Sequence, residues 1–238
     1  MSKIYKRVNP VMPASIQTAE YADTEILFDW HKIDARKVSS ISGLQCIVRG
    51  TNGAAQTMVG IDLFFATSHI PTPNDGVNVS VDAVPTTLGT TGAAVDTPGW
   101  QNNLCGHVAI AAGDFNDADL IYLNVATKSG LDIPVNGDLY VAAVAKVALD
   151  FRSTVQVSTE TATNTTAVVV KTTSALINFA PGDVLHDEDD LVIGTVKSVT
   201  DATNLVLTKN CESVSAVNKD LYNISPITLI LSCESWGG

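Results

Sequence analysis

The most polar stretch of the sequence, His186-Asp187-Glu188-Asp189-Asp190, offers carboxylate and imidazole groups that could hold a cation such as calcium. Calcium-binding loops alternate their ligands with other residues and need a glycine at the sharp bend, and this run has neither feature. We therefore interpret it as a solvated acidic hairpin tip between Leu185 and Leu191, with a bound cation as the open alternative. No metal and no cofactor is assigned to the chain on this basis.

His107 is the second position at which chemistry could reside. Cys105 precedes it by two residues in the same predicted strand, so both side chains point to one face. Nucleophilic catalysis needs a serine or cysteine exposed on a strained turn beside its base, and the sequence contains no G-x-S-x-G motif. It also lacks a phosphate-binding loop and a dinucleotide fingerprint. These features favour a packed strand face, and they predict that the protein is not an enzyme.

The cysteines are Cys46, Cys105, Cys211 and Cys233. They form no Cys-x-x-Cys pair, which argues against a zinc knuckle or a redox pair. Their neighbours have strand composition, so we expect buried thiols that pack as small hydrophobic side chains.

The composition limits the classes of partner. Charged residues make up 16% of the 238-residue chain, hydrophobic residues 45%, and the net charge is -11. Nucleic acids and anionic membrane surfaces both require a basic face. No apolar run has the length of a membrane helix, and no hydrophobic segment follows the first basic residues as in a secretory signal. We therefore expect a protein made in a cytoplasm that binds neither nucleic acid nor membrane. The cations that cluster are Lys3, Lys6 and Arg7, followed by Lys32, Arg36 and Lys37.

A surface with so little charge is typical of a protein that packs against neighbours. We therefore expect a homo-oligomer, with a trimer as one candidate. A loop as long as residues 68–103 is usually functional or ordered by a partner, and a tryptophan on a loop can anchor an interface. The residues that we predict at interfaces are Trp100, Trp236, His69, Lys6 and Arg7.

Apolar and polar residues alternate with the period of a β-strand along much of the chain. Gly43–Arg49 alternates, Thr51-Asn52-Gly53 supplies a tight turn and Thr57–Thr67 has strand composition, which predicts a hairpin over residues 43–67. Ile227–Cys233 is the last predicted strand. Because strands recur about every ten residues between turn signals, we predict an all-β fold, namely an antiparallel β-sandwich of the jelly-roll type.

Two echoing tripeptides frame the second half of the chain. Asp138-Leu139-Tyr140 opens an apolar run to Phe151, and Asp220-Leu221-Tyr222 opens another to Cys233. We expect one sandwich to supply both strands, with a small module inserted before the last. The predicted division is an N-terminal arm at residues 1–20, which is extended or docks on a neighbour, a sandwich at residues 21–151 plus 223–238, and the module at residues 152–222.

The inserted module has the pattern of a small barrel. A Pro-Gly-Asp-Val entry at residues 181–184 precedes short strands joined by tight turns. Gly194 lies inside a strand pattern, where a bulge or sharp bend lets a small barrel close. We predict a five-stranded, SH3-like β-barrel.

Phe179–Val184, Ile193–Val199 and Leu205–Leu207 resemble segments of virion structural proteins of tailed bacteriophages, especially marine and cyanobacterial ones. Leu221–Leu229 and Val59–Ala66 share this resemblance. It implies a component of a virus particle and carries no catalytic residues.

The resemblance leaves three placements: capsid decoration, a tail or baseplate part, and a fibre-associated component or carbohydrate-binding adhesin. We favour a decoration or cement protein on the capsid surface, whose partners are copies of itself and the major capsid protein. It would sit on the shell through the N-terminal arm and residues 68–103, bridge capsomers and project the module outward. Many copies would stabilise the shell by multivalent contacts, with the acidic surface facing solvent.

Overall fold

The computed structural model describes residues 3–12, 20–23, 25–49, 59–67, 104–115, 123–153, 155–171 and 178–235. These residues form antiparallel strands and their connections, with a 3-10 turn at Ala112–Asp114. None of their helical segments has the length and apolar composition to cross a membrane. The strands are β1 (Lys3–Val8), β2 (Ile26–Ile33), β3 (Val38–Arg49), β4 (Ile61–Ala66), β5 (Leu104–Ile110), β6 (Leu123–Pro134), β7 (Leu139–Ala145), β8 (Ala167–Val169), β9 (Val184–Asp187), β10 (Val192–Val199), β11 (Asn204–Leu207), β12 (Leu221–Asn223) and β13 (Ile227–Ser235).

Two four-stranded sheets enclose the main core. One sheet has the order β1-β13-β3-β6 and the other has the order β2-β7-β4-β5, and all neighbours are antiparallel. Because β13 is the eighth strand of this unit along the chain, the two orders are those of an eight-stranded jelly roll. The predicted all-β sandwich of the jelly-roll type is confirmed.

Alternating apolar residues fill the space between the sheets. In β13, Ile227, Leu229, Leu231 and Cys233 are buried as their predicted spacing requires. The opposite sheet contributes residues such as Phe65, which is also inaccessible to solvent. Each such leucine, isoleucine or phenylalanine contributes about 1.5–3 kcal/mol through removal of its apolar surface from water.

The predicted hairpin over residues 43–67 is wrong. β3 pairs with β13 and β6, whereas β4 pairs with β5 and β7, so the two strands lie in opposite sheets. The alternation within each strand is as predicted, because Cys46 and Leu63 are both fully buried in the one core. The error concerns the connection: both edges of β3 are occupied by strands that are distant in sequence. The turn at residues 51–53 lies outside the described residues.

The beginning of the predicted N-terminal arm is a strand of the sandwich. Residues 3–8 form β1, which pairs with β13 of the same chain from Lys3↔Glu234 to Val8↔Leu229. β1 is the outermost strand of its sheet, so its other edge has no strand partner among the described residues. Tyr5 projects from it with 66% of its surface exposed.

The second unit is a small barrel built from β12-β9-β10-β11-β8. The segment around Gln156 closes it, because Gln156 bridges to Asp220 next to β12, and Val157 bridges to Val170 next to β8. Gly194 lies at the predicted bulge of β10, with φ at +146°. That the barrel is of the SH3-like kind stays a prediction. Its core residues are Val155, Val157, Val168, Val170, Phe179, Leu185, Ile193, Val196, Leu205, Leu207, Cys211 and Leu221.

The second echoing tripeptide does not open a sandwich strand. Leu221–Asn223 is β12 of the barrel, and the sandwich strand β13 begins only at Ile227. The chain passes between the units through a turn in which Asn223 Oδ1 accepts the backbone N–H of Ser225 at 2.8 Å. The first tripeptide leads into β7 of the sandwich, as expected.

A buried ion pair joins the two units. Arg49 Nη2, at the end of β3, donates to Asp183 Oδ1 of the barrel at 3.0 Å, and both side chains are only 6% exposed. The other carboxylate oxygen accepts the backbone N–H of Ala180 at 2.8 Å. Burial raises the pKa of Asp183, and the positive charge of Arg49 opposes this effect. The contact fixes the barrel against the sandwich at the end of β3.

Candidate binding surfaces

The acidic turn at residues 186–190 is held by hydrogen bonds within the barrel. Asp187 is buried, and its Oδ1 accepts the backbone N–H of Asp189 at 3.0 Å. Lys219 Nζ donates to Glu188 Oε1 at 2.6 Å and lies 3.0 Å from Asp189 Oδ2. The hydrogen bond that Lys219 donates to Glu188 is the first cause of the raised pKa of Lys219. The turn is not simply a solvated tip, because its carboxylates hold the backbone and a lysine.

His186 and Tyr222 share the last carboxylate of this turn. Asp190 Oδ1 lies 2.9 Å from His186 Nδ1 and accepts the hydroxyl of Tyr222 at 2.9 Å. Burial, followed by the bond to Asp190, raises the pKa of Tyr222. In the described part of the chain, no group of three or more His, Cys, Asp and Glu side chains is placed to hold a metal ion. The cation alternative gains no support from this geometry.

His107 lies on the outer face of β5, where it contacts a carboxylate. Its Nε2 is 3.3 Å from Asp62 Oδ1, and Asp62 Oδ2 is 3.6 Å from Lys146 Nζ. The imidazole ring stacks on Phe64 with a centroid distance of 4.8 Å. Burial raises the pKa of Cys105, which disfavours the nucleophilic thiolate. The cluster is a chain of polar side-chain contacts on a strand face.

The cysteines pack largely as predicted. Cys46, Cys211 and Cys233 are buried free thiols, while Cys105 is partly exposed. Burial raises the pKa of the Cys46 thiol to about 12. It also raises the pKa of the other three thiols, so the neutral form is favoured at all four positions.

Lys6 of the first cation cluster meets the second cluster beside the end of β2. Lys6 of β1 reaches across to Asp34, which follows β2 in the opposite sheet, at 3.5 Å. Arg36 holds the same carboxylate through two hydrogen bonds of 2.8 and 2.9 Å. These bonds from Arg36 hold the pKa of Asp34 well below its usual range. Lys6, which we predicted at an interface, is therefore part of a contact between the two sheets.

An open groove of about 720 Å³ lies beside this contact. Lys32 pairs with Asp138 across it at 2.8 Å, and Lys37 is exposed on its rim. Its three cations outnumber its two carboxylates, in a chain whose net charge is -11. We call it the basic groove. Its lining residues are Lys32, Ile33, Asp34, Ala35, Arg36, Lys37, Val38, Gly137 and Asp138.

The remaining predicted interface residues are not brought to this groove. Arg7 is exposed on β1, where its Nε lies 3.5 Å from Asn9 Oδ1 and its charge acts on Asp183. Trp100, Trp236 and His69 lie outside the described residues, as does the whole of the predicted loop at residues 68–103.

A second groove, of about 300 Å³, crosses the outer face of the sheet β1-β13-β3-β6. Sequence patterns did not single it out, because its residues come from four strands and most of them are the polar positions that alternate with buried ones in any strand. We call it the hydroxyl groove. Its lining residues are Lys3, Tyr5, Ser42, Gly43, Leu44, Gln45, Thr127, Lys128, Ser129, Ile230 and Ser232.

Comparison of the chain with protein-family models, with curated proteins and with solved structures gives no match. A function is therefore proposed from the fold, the charge distribution and the sequence resemblance.

Proposed function

We propose that the chain is a non-enzymatic structural protein of a tailed-phage particle, most specifically a decoration or cement protein on the capsid surface. The observation that carries the proposal is the jelly-roll strand order, an architecture that recurs in viral capsid and lectin domains. A fold alone does not determine function. The proposal therefore also draws on the charge distribution and on the sequence resemblance.

The basic groove gives such a protein a preferred orientation on a shell. Lys6, Lys32, Arg36 and Lys37 gather at one end of a molecule that is otherwise acidic. An acidic patch on a capsid protein would attract this end, and the remaining surface would be repelled. The barrel lies between β7 and β13 in the chain, and the proposal places it away from the shell.

Multiple copies account for strong retention on a particle. Each copy would bury a modest interface, and simultaneous contacts of an oligomer with several capsomers would raise the overall affinity. The low density of charge, at 16% of residues, favours such self-association.

The test combines shell binding with shell stability. Empty shells assembled from the major capsid protein of the same phage are mixed with the full-length chain and sedimented. We expect co-sedimentation, weaker binding at high salt, and shells that resist a higher temperature when the protein is present. A chain that does not bind the shells, or that leaves their heat resistance unchanged, contradicts the decoration role.

Charge-reversal variants locate the contact. Replacement of Lys32 and Lys37 by Glu should abolish co-sedimentation, because it reverses the charge of the basic groove. Replacement of Lys197 and Lys209 by Glu is the matched control, since both are exposed on the barrel and the net charge changes equally. Equal loss of binding in both variants contradicts the proposed orientation. Electron microscopy of intact particles then separates a capsid placement from a tail or baseplate placement.

A further inference from the structure

The hydroxyl groove has a floor built from one residue of each strand of its sheet. Strand register aligns Tyr5 of β1 with Ser232 of β13, Ser232 with Gly43 of β3, and Gly43 with Ser129 of β6. Because strands pair side by side about 4.8 Å apart, this row spans the whole sheet. The next row along the strands contributes Ile230, Gln45 and Thr127 to the groove. Its β1 member, Arg7, is exposed outside the lining, so these two rows of the floor carry no charge.

Gly43 leaves the floor of the groove without a side chain. A Cβ atom at this position would lie 3.3 Å from the backbone oxygen of Lys128 and 3.4 Å from Ser232 Cβ. Any side chain would therefore fill the space between the neighbouring strands. With glycine there, the backbone itself forms the bottom of the groove.

The polar side chains of the groove are available to a ligand. Within the described residues, Tyr5, Gln45, Thr127, Ser129 and Ser232 have no hydrogen-bond partner for their side chains. Their hydroxyl and amide groups can both donate and accept hydrogen bonds.

Charge plays little part in the groove. The Nζ of Lys128 is held by Asp114 at 2.5 Å, and Lys3 stands at one end. A phosphate or carboxylate ligand would need several cations or backbone N–H groups aimed at it, which this floor does not supply.

Tyr5 supplies the apolar element. Its ring is 66% exposed at the wall of the groove, on the outermost strand of the sheet. An exposed tyrosine combines an apolar ring face with a polar tip, so it suits a ligand that has both kinds of surface. A pyranose ring has this character, because one face presents C–H groups and the rim presents hydroxyls.

We propose that the hydroxyl groove binds a short neutral oligosaccharide. One pyranose ring stacks on Tyr5 and exchanges hydrogen bonds with Ser232. Because Ser129 lies three strands away from Tyr5, the hydroxyls of a second ring exchange hydrogen bonds with Gln45 and Ser129. The volume of about 300 Å³ lies at the small end of ligand pockets, which suits one or two sugar rings. Affinity per copy is low in so open a site, and an assembly of copies gains avidity. Glycan binding at this site would be a function separate from capsid decoration, and the proposal does not depend on the decoration role.

The test uses the full-length chain in its native oligomeric state on an array of neutral and acidic glycans, followed by NMR titration of the best neutral glycan. We expect binding to at least one neutral glycan. Tyr5→Ala should weaken that binding by about tenfold or more, whereas Tyr5→Phe should keep it. Gly43→Ala should also weaken binding, because its methyl group occupies the floor.

Val214→Ala is the control, since Val214 is 49% exposed on the barrel, and it should bind like the original chain. Tyr5 is too exposed for its replacement to unfold the sandwich, and circular dichroism verifies this. The proposal is overturned if no glycan binds above background or if binding is indifferent to Tyr5→Ala. Binding of acidic glycans alone, with a strong dependence on salt, also overturns it and assigns the contact to Lys3.

Discussion

Arg49 and Asp183 form the most buried ion pair among the described residues, and their contact crosses from the sandwich to the barrel. The pair is incompletely satisfied, because Arg49 Nε is buried without a hydrogen-bond partner in the described part of the chain. Attraction between buried charges only roughly offsets the cost of removing them from water. The pair therefore specifies how the units meet more than it adds net stability.

Removal of one partner of the Arg49–Asp183 pair should lower the free energy of unfolding far more than removal of both. Asp183→Ala leaves the guanidinium of Arg49 buried and uncompensated, so we expect the free energy of unfolding to fall by about 3–5 kcal/mol. The double variant Arg49→Met/Asp183→Leu should regain most of that loss. Urea unfolding of the single and double variants measures both effects.

An exposed pair provides the control. Lys32 and Asp138 are each 57% exposed at a distance of 2.8 Å, so Asp138→Ala should change the free energy of unfolding by less than about 1 kcal/mol. If Asp183→Ala and Asp138→Ala lower the free energy of unfolding by the same amount, burial of the Arg49–Asp183 pair has no energetic consequence.

Asp34 should make stability depend on pH. The bonds from Arg36 lower the folded-state pKa of Asp34 from its ordinary 3.8. The stability that ionised Asp34 contributes is therefore present above the unfolded-state pKa of Asp34. It is lost as the pH falls through the lower folded-state pKa of the same group. We expect the free energy of unfolding to decrease below about pH 4, with a shallower decrease in Asp34→Asn and in Arg36→Gln. Urea unfolding across this range measures it, and an Asp34→Asn variant with the original slope contradicts it.

At the scale of elements, glycine decides whether β10 can bend. Gly194 has φ at +146°, and a Cβ atom there would lie 2.9 Å from Leu207 Cδ1. Gly194→Ala should therefore lower the free energy of unfolding by about 1–3 kcal/mol through backbone strain and crowding. Gly113→Ala is the control, because nothing lies within 4 Å of its Cβ position, and a change within about 0.5 kcal/mol is expected. Thermal unfolding of Gly194→Ala and Gly113→Ala measures the difference. Equal midpoint temperatures for the two variants would rule out strain at Gly194.

The elements also show which parts of the fold are readable from sequence. Burial of Ile227, Leu229 and Leu231 follows from a period of two, a local property. The bulge at Gly194 was likewise predictable, because only glycine tolerates its backbone. The hairpin over residues 43–67 failed because turn residues do not report which strand fills the edge of β3.

The candidate sites were less predictable than the strands, because they too depend on contacts between segments that are distant in the sequence. Lys6 and Asp34 are 28 residues apart, and Arg49 and Asp183 are 134 apart, so no local spacing links them. The hydroxyl groove combines residues from the first and the last strands of the sandwich. Sequence patterns marked the clustered cations, including Lys6, but they did not mark Tyr5, whose place beside Ser232 follows only from the pairing of β1 with β13.

At the scale of the whole molecule, two cores share one chain. The barrel core extends from Val155 to Leu221 and lies, in the sequence, between sandwich strands β7 and β13. The sandwich can therefore close only when β13, which follows the barrel, pairs with β1 and β3. The barrel has no such requirement, because the segments that close it lie within residues 155–223. The barrel should therefore withstand damage to the sandwich. A packing defect inside the barrel core leaves the pairs of β13 with β1 and β3 in place, so the sandwich should withstand that local damage as well.

Hydrogen exchange of the full-length chain tests this independence. Leu205→Ala in the barrel and Leu229→Ala in the sandwich each remove a fully packed side chain, at a cost of about 2–5 kcal/mol. We expect Leu205→Ala to speed amide exchange in β8–β12 and to leave β3 and β13 protected, and Leu229→Ala to do the reverse. The ion pair at Arg49 adds only a local coupling at the junction. Equal acceleration of exchange in both units by either variant would show that the two cores unfold as one.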